Sequence, residues 1–422
     1  MYDIKRIRRD FDEVLKGVQR RGGGDFGLLR IKELEEKRRG ILIDLEEKRA
    51  RQNSFSREIP VKKRAGEDVT ELLEYLKDLS TQISTEETLL KEVEEEMNEL
   101  LFFVPNIPQE EVPVGNDDAD NKVLRKWGEP TRFDFEPKAH WELGVERDFL
   151  DFERGAKVTG SRFTFVKGKA ARLERALFNY FLDFHTDSGK YMEMNTPVLA
   201  NRDSMTGTGQ LPKFEEDMYH IASDDLFLIP TAEVTLTNYL KDEIYSHEDL
   251  PIYMTSYTRC FRREAGSAGR DTRGIIRQHE FGKVELVKYV LPEESEAEHQ
   301  DMVSDVERLL QSLELPYQVV LLCTGDLGFS SSKTYDIEVW FPSNGGYREI
   351  SSISNFHDFQ ARRAGLRYRD SNGKVQFMHT LNGSGIPTGR TLAAILENNQ
   401  QENGKVRIPK VLVPYMGGLE EI

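Results

Sequence analysis

Cysteine is nearly absent from this chain, which has two, Cys260 and Cys323, in 422 residues. Two thiols cannot build a disulfide framework or a four-thiolate zinc site, and the eight histidines include no His-x-x-x-His pair, so no zinc is expected. Long hydrophobic runs are missing too. No stretch of about 18 apolar residues occurs, so no membrane span is predicted. The N-terminus, MYDIKRIRRDFDEV, alternates charge with apolar residues and lacks the unbroken apolar segment of a secretory signal. These absences make a reducing, cytoplasmic compartment the expectation. Two nucleotide signatures are also lacking. There is no GxxxxGK[ST] loop, and Gly383, Gly385 and Gly389 are not spaced as GxGxxG.

What is present fits a soluble globular protein with a highly charged appendage: 38% hydrophobic and 31% charged residues, in a length that suggests two or three domains. The net charge of −16 argues at first against a polyanionic partner. Its distribution reverses that reading. Residues 1–64 carry 19 Lys and Arg against 12 Asp and Glu, whereas residues 65–101 carry 2 against 12. A basic N-terminal segment is therefore free to face phosphates.

Both segments carry heptad seams. The first runs through Ile31, Leu34, Arg38, Ile41, Leu45, Lys48, Gln52, Phe55 and Ile59; the second through Leu72, Leu76, Leu79, Ile83, Glu86, Leu90, Val93, Met97 and Leu100. Pro60 and Gly66 fall between them, where the first helix is expected to stop and the chain to reverse. The pattern predicts an antiparallel helical hairpin reaching on the order of 45 Å. An oligomerisation coiled coil fits the heptads equally well. A stretch rich in Pro, Asn and Asp follows, and residues 105–138 read as a linker between domains spanning 1–104 and 139–422. Beyond it, short apolar alternations with irregular connections and a few helices predict an α+β domain, a mostly antiparallel sheet flanked by helices.

Within that domain, FRREAGSAGRDTRGIIRQHEF at Phe261 to Phe281 sets five arginines around a small-residue loop between two strand-like runs. By strand alternation Cys260, Arg262 and Glu264 fall on one face of the first run, and Arg277, His279, Phe281, Lys283 and Glu285 share a face of the return run. Paired as a hairpin, these runs bring guanidinium, carboxylate and aromatic groups to one floor, with Arg270 and Arg273 on the loop as a flap. Arginine suits polyphosphate because its planar fork binds oxygens in pairs. An edge hairpin with solvated charges has the same pattern. Three further segments carry chemistry or an ordinary structural alternative. Arg390, after three glycines and at a helix start, suits an anion or is merely a turn. Glu349 and Ser351 share a strand face with Ser352 at its end, as Mg²⁺ ligands or surface groups. Thr231 and Glu233 at a strand-to-helix junction are ligands or a helix cap.

Taken together and in order, these segments resemble the bacterial-type seryl-tRNA synthetases, members of class II, over essentially the whole chain. The resemblance is carried by the heptad arm, HWELG at His140 to Gly144, TGTGQLPKF at Thr206 to Phe214, TAEV at Thr231 to Val234 and the arginine hairpin. TGDLGFSSSKTYDIEVW at Thr324 to Trp340, REISSISNFHDFQARR at Arg348 to Arg363 and TLNGSGIPTGRTLAAILEN at Thr380 to Asn398 complete it. It implies ATP-dependent activation of L-serine, then transfer to serine tRNA and, where one is present, selenocysteine tRNA. It further implies a homodimer through Tyr191 to Leu199. Implied ATP contacts are Arg262 on the α-phosphate, Arg390 on the γ-phosphate and Phe281 under adenine, with Arg263, Glu264, Glu349, Ile350, Ser351 and Ser352. Mg²⁺ would lie on Glu349 and Ser352. Serine would meet Thr231, Ala232, Glu233, Glu285 and Ser384. The arm would meet the long variable stem of the tRNA through Arg30, Lys37, Arg39, Arg49 and Arg51, with Arg38 and Lys48 partly committed to the seam. Thr235, Ile353, Phe356 and Ile386-Pro387-Thr388 depart from the family's usual residues, and none removes an implied ligand.

Overall fold

The computed structural model describes residues 2–265 and 273–422. The chain forms two compact units, Met1–Gln19 with Gly23–Pro105, and Arg20–Gly22 with Asn106–Ile422.

The first unit is dominated by two helices, α1 (Leu28–Arg64) and α2 (Thr70–Phe103). Ile31, Leu34, Ile41 and Leu45 of α1 and Leu79, Ile83, Val93, Met97 and Leu101 of α2 are buried along the seam. Three of the polar lapses in the heptads, Arg38, Lys48 and Glu86, form ion pairs across it. Arg38 meets Glu94 at 2.7 Å and Lys48 meets Glu86, while Arg30 reaches Glu96 at 2.8 Å, an order that makes the helices antiparallel. Pro60 does not end the first helix, which continues through it to Arg64; the reversal falls at Gly66, with φ of 77°. Proline's fixed φ is helical, and so near the end of an exposed helix its missing N–H removes a single hydrogen bond. At 37 residues α1 is about 55 Å long.

The second unit is built on an eight-stranded sheet. In chain order its strands are β1 (Lys122–Trp127), β2 (Met192–Glu193), β3 (Ile252–Phe261), β4 (Glu280–Val290), β5 (Tyr317–Leu321), β6 (Lys333–Phe341), β7 (Gly346–His357) and β8 (His379–Pro387). Their spatial order is β1-β5-β6-β7-β8-β4-β3-β2, antiparallel throughout except for the β2–β3 pair at one edge. The stretch read as a linker thus supplies an edge strand.

One face of this sheet is apolar. Val284, Leu286, Val319, Ile337, Ile353 and Leu381 pack there against helices α3 (Gly168–Thr186), α4 (Ser295–Ser312) and α5 (Thr388–Asn398). On the opposite face, period-two alternation turns Lys283 and Glu285 of β4 toward a cleft. Val287 and Tyr289, further along the same strand, sit in a separate apolar cluster with Ala232 and Ala361.

Candidate active site

The cleft has a volume of about 1320 Å³ and is lined chiefly by polar side chains from β4, β6, β7 and β8 and from the loops above them. Its arginine hairpin is shorter in strand than the alternation predicts. β3 stops at Phe261 and β4 begins at Glu280, so residues 262–264 and 277–279 lie outside the ladder. The reason is local. Glu264 has φ of +53°, which leaves the β region, so the single-face assignment of Cys260, Arg262 and Glu264 does not hold. The backbone N–H of Arg262 still donates to the carbonyl of His279 at 2.9 Å, keeping the runs together. Arg277 then pairs with Glu264 at 2.6 Å. Of the flap residues, Arg270 lies outside the described residues and Arg273 is exposed.

Arg262 is held by its Nε, which donates to the carbonyl of Pro230 at 3.2 Å, and its guanidinium sits 5.3 Å from the Phe281 ring centre. Arg390 enters from α5. Its Nε donates to the carbonyl of Ile276 at 3.1 Å, and its Nη1 donates to the carbonyl of Glu349 at 2.7 Å and lies 3.2 Å from that residue's carboxylate. Two forks with spare N–H groups therefore face one cavity.

A register step decides which residues of β7 join them. Ser351 pairs with Ile337, but Glu349 pairs with Glu338, so Ile350 is an extra residue on β7. Such a bulge resets the alternation. Glu349 and Ser352 consequently both line the cleft, whereas Ser351 turns away and donates its hydroxyl to the carbonyl of Ser384 at 2.7 Å. The expectation that Glu349 and Ser351 share a face is thereby corrected, as is the placing of Ser352 at a strand end, since β7 runs on to His357. The Ile350 side chain belongs to the apolar core, and so does the Ala232 methyl. Arg263 leaves the cleft and stands over Tyr219, 5.8 Å from the ring centre.

The oxygens on this floor suit a hard cation. Asp336 lies opposite Ser352 in register, and its buried Oδ1 has no hydrogen-bond partner. Burial and the nearby Glu349 carboxylate push the Asp336 carboxyl well up, while Arg390 holds Glu349 below the usual carboxylate range. Among the described residues, no three His, Cys, Asp or Glu groups form a closed metal site. Magnesium is commonly held by one or two carboxylates, completing its shell with phosphates and water, so the residues fit it.

Beside this floor lies a small, acid-walled pocket. The Thr231 hydroxyl donates to Glu285 at 2.9 Å, Lys283 donates to Thr231 at 3.0 Å and forms an ion pair with Glu285, and Asn382 donates to Glu285 at 3.0 Å. Glu233 is buried, and desolvation together with the charge on Glu285 pushes its carboxyl up to about 7. Ser384, opposite Glu285 on β8, completes the wall.

Sequence reasoning passed over Asp336, Lys283 and Asn382 as ligands, although alternation along β4 had put Lys283 beside Glu285. It also missed His140 as a support. Buried His140 bonds Glu397 through Nδ1 at 2.7 Å, and its Nε2 accepts the backbone N–H of Ile275 at 3.1 Å. Gly274 passes so close, at φ of +80°, that a Cβ would stand 2.1 Å from that nitrogen. The contact fixes the return of the hairpin next to Ile276, whose carbonyl holds Arg390.

The proposed RNA contacts lie on the helical unit. Arg30, Lys37, Arg39, Arg49 and Arg51 are all exposed, with Arg30 and Arg49 bonded to Glu96 and Glu87 of α2.

Sheet, cleft and helices match known proteins. Residues 214–399 match the tRNA synthetase class II core domain (G, H, P, S and T), and residues 1–108 match the seryl-tRNA synthetase N-terminal domain. A serine–tRNA ligase of Finegoldia magna is 54% identical over 417 residues, covering 99% of each chain, and one from a Geobacillus species is 57% identical over all of both. The crystal structure of seryl-tRNA synthetase from Pyrococcus horikoshii complexed with ATP superposes with a TM-score of 0.95 at 37% identity, over 100% of this chain and 99% of that one. The antiparallel sheet and its arginine-lined cleft are thus a class II synthetase core. The chain belongs to the seryl-tRNA synthetase family.

Proposed function

We propose that this protein is a serine–tRNA ligase. In the first step a carboxylate oxygen of L-serine attacks the α-phosphorus of ATP in line; the α–β bond breaks, pyrophosphate leaves and seryl-adenylate remains. In the second a ribose hydroxyl at the 3′ end of serine tRNA attacks the seryl carbonyl and AMP departs. Displacement at phosphorus needs positioning and charge neutralisation more than covalent catalysis. Arg262 would grip the α-phosphate, Arg390 the γ-phosphate, and Phe281 would carry the adenine. Bound Mg²⁺ would neutralise phosphate charge, with Glu349 and Ser352 as its protein ligands and Asp336 beside them. Thr231, Glu233, Glu285 and Ser384 would take the ammonium and hydroxyl of serine, with Ala232 contributing only backbone. Losing that hydroxyl strands buried polar groups, which disfavours alanine by about 1–3 kcal/mol or more.

The observation that carries this reading is that an acid-walled pocket and two arginine forks open into one cleft. In the same reading residues 1–104 are the tRNA-binding domain and 139–422 the catalytic domain. The arm lies along the long variable stem, and exposed Met192, Val198 and Leu199 support a homodimer. Among the described residues no helix is long and apolar enough to cross a membrane, and in this reading the protein works in the cytoplasm. Serine-dependent exchange of pyrophosphate into ATP with Mg²⁺ tests the first step; no exchange overturns the enzymatic reading. Exchange without charging of serine tRNA would point instead to another acceptor.

A further inference from the structure

We propose that Gln360 is a specificity-determining positioning residue, whose buried amide holds Glu233 and the turn at Thr208 in the one arrangement that lets the pocket recognise a small hydroxy amino acid. The proposal rests on the serine reading above and goes beyond the residues that face the ligand.

Gln360 stands near the start of a short helix, Phe359–Ala364, and is fully buried. Its amide joins three separate segments. Nε2 donates to Glu233 Oε1 at 2.7 Å and to the carbonyl of Thr208 at 3.2 Å, and its carbonyl accepts the hydroxyl of Thr380 on β8 at 2.7 Å. Both N–H groups are therefore committed to acceptors and the carbonyl to a donor. A half-turn of the amide would set its oxygen against a carboxylate and a carbonyl at once, so the network admits a single orientation. With Oε1 of Glu233 occupied, the second oxygen remains for the cleft that Glu233 lines.

Thr208 belongs to the TGTGQLPKF segment, whose Thr208, Gly209, Gln210 and Phe214 border the same cleft. That segment turns at Gly209, with φ of +92°, where a Cβ would come within 2.2 Å of Ser330 Oγ. One helical turn after Gln360, Arg363 donates to the carbonyls of Thr206 and Leu211 at 3.3 and 3.4 Å. One short helix thus fastens the loop and the acid of the pocket to each other. A space-filling apolar residue at 360 would leave an acidic oxygen of Glu233 and the Thr380 hydroxyl without partners in a buried place, and would leave the Thr208 carbonyl with the Ser330 hydroxyl, at 3.2 Å, as its donor. What Gln360 controls is where Glu233 points; the phosphate-binding arginines are not among its partners.

Pyrophosphate exchange by the full-length enzyme with Mg²⁺ and ATP separates these roles. Gln360→Met and Gln360→Glu should each raise the KM for serine about tenfold or more and lower the preference for serine over alanine and threonine, leaving the KM for ATP within about twofold. Thr380→Val keeps the shape and removes only the hydroxyl that orients the amide. It should shift serine KM in the same direction by about threefold while the KM for ATP stays at the wild-type value. Serine KM and discrimination equal to wild type in folded Gln360→Met would overturn the proposal. So would a parallel rise of both KM values that tracks falling thermal stability in Gln360→Met and Thr380→Val, the mark of a merely structural role. If the wild-type enzyme shows no exchange with serine, the serine reading itself falls and this inference with it.

Discussion

The helical arm and the catalytic cleft are both rich in charge, and they use it in opposite ways. On the arm, Arg30, Arg49 and their partners Glu96 and Glu87 are about half exposed, so water and salt screen their pairs. In the cleft, Lys283 and Glu285 are paired while nearly fully buried, and Glu233 lies beside them. Desolvation makes each of those groups depend on its neighbours. Charge on the arm therefore acts as a replaceable field along a surface, whereas charge in the cleft acts through particular atoms.

The contrast can be broken most sharply at Arg262. In the proposed role of Arg262 on the α-phosphate, Arg262→Ala removes a donor aimed at developing phosphate charge, and kcat/KM for exchange should fall by about 10²–10³ without loss of folding. A loss below about threefold would mean that this guanidinium does not meet phosphate.

Next in size is the pH response of Glu233. Its folded value of about 7 lies above the ordinary 4.5. A raised carboxyl keeps in the folded state a proton that the unfolded chain has already released, so its stabilising contribution is complete below about pH 4.5 and is lost as pH rises to about 7. Wild type should therefore lose stability relative to Glu233→Gln across that window, by about 3 kcal/mol at most in urea unfolding. Parallel pH curves for the two proteins would refute it.

On the arm, single changes should do little to folding and more to RNA. Lys37→Glu with Arg39→Glu should leave exchange at wild-type levels and raise the KM for serine tRNA about tenfold, with a shallower salt dependence of charging, by about one logarithmic unit per lost phosphate contact. An unchanged salt slope would place the RNA on another face.

Much of this molecule was readable beforehand because two of its signals are local. A 3.6-residue period with apolar seams defines α1 and α2 wherever they occur, and even the polar lapses at Arg38 and Lys48 mark positions facing the partner helix. Motifs likewise brought Arg262, Phe281, Glu285, Glu349 and Arg390 into one list. Period-two reasoning failed at three places: past Phe261, at Ile350 and along residues 122–127. At Glu264 a positive φ takes the chain out of the ladder, and at Ile350 a bulge inserts one residue, so faces counted from sequence slip by one. Lys122–Trp127 has no buried face of its own and becomes a strand because β5 offers an edge.

Family, domain order and the chemical types in the site were determined by the sequence alone, since residue identity and local periodicity survive without a fold. Which carboxylate faces which cation was decided only in three dimensions. Asp336 lies opposite Ser352 across a strand pair, His140 reaches Ile275 across 135 residues, and Gln360 reaches Glu233 across 127. Hydrogen bonds between such distant segments depend on strand register and on the exclusion of water, and both arise when the sheet assembles as a whole.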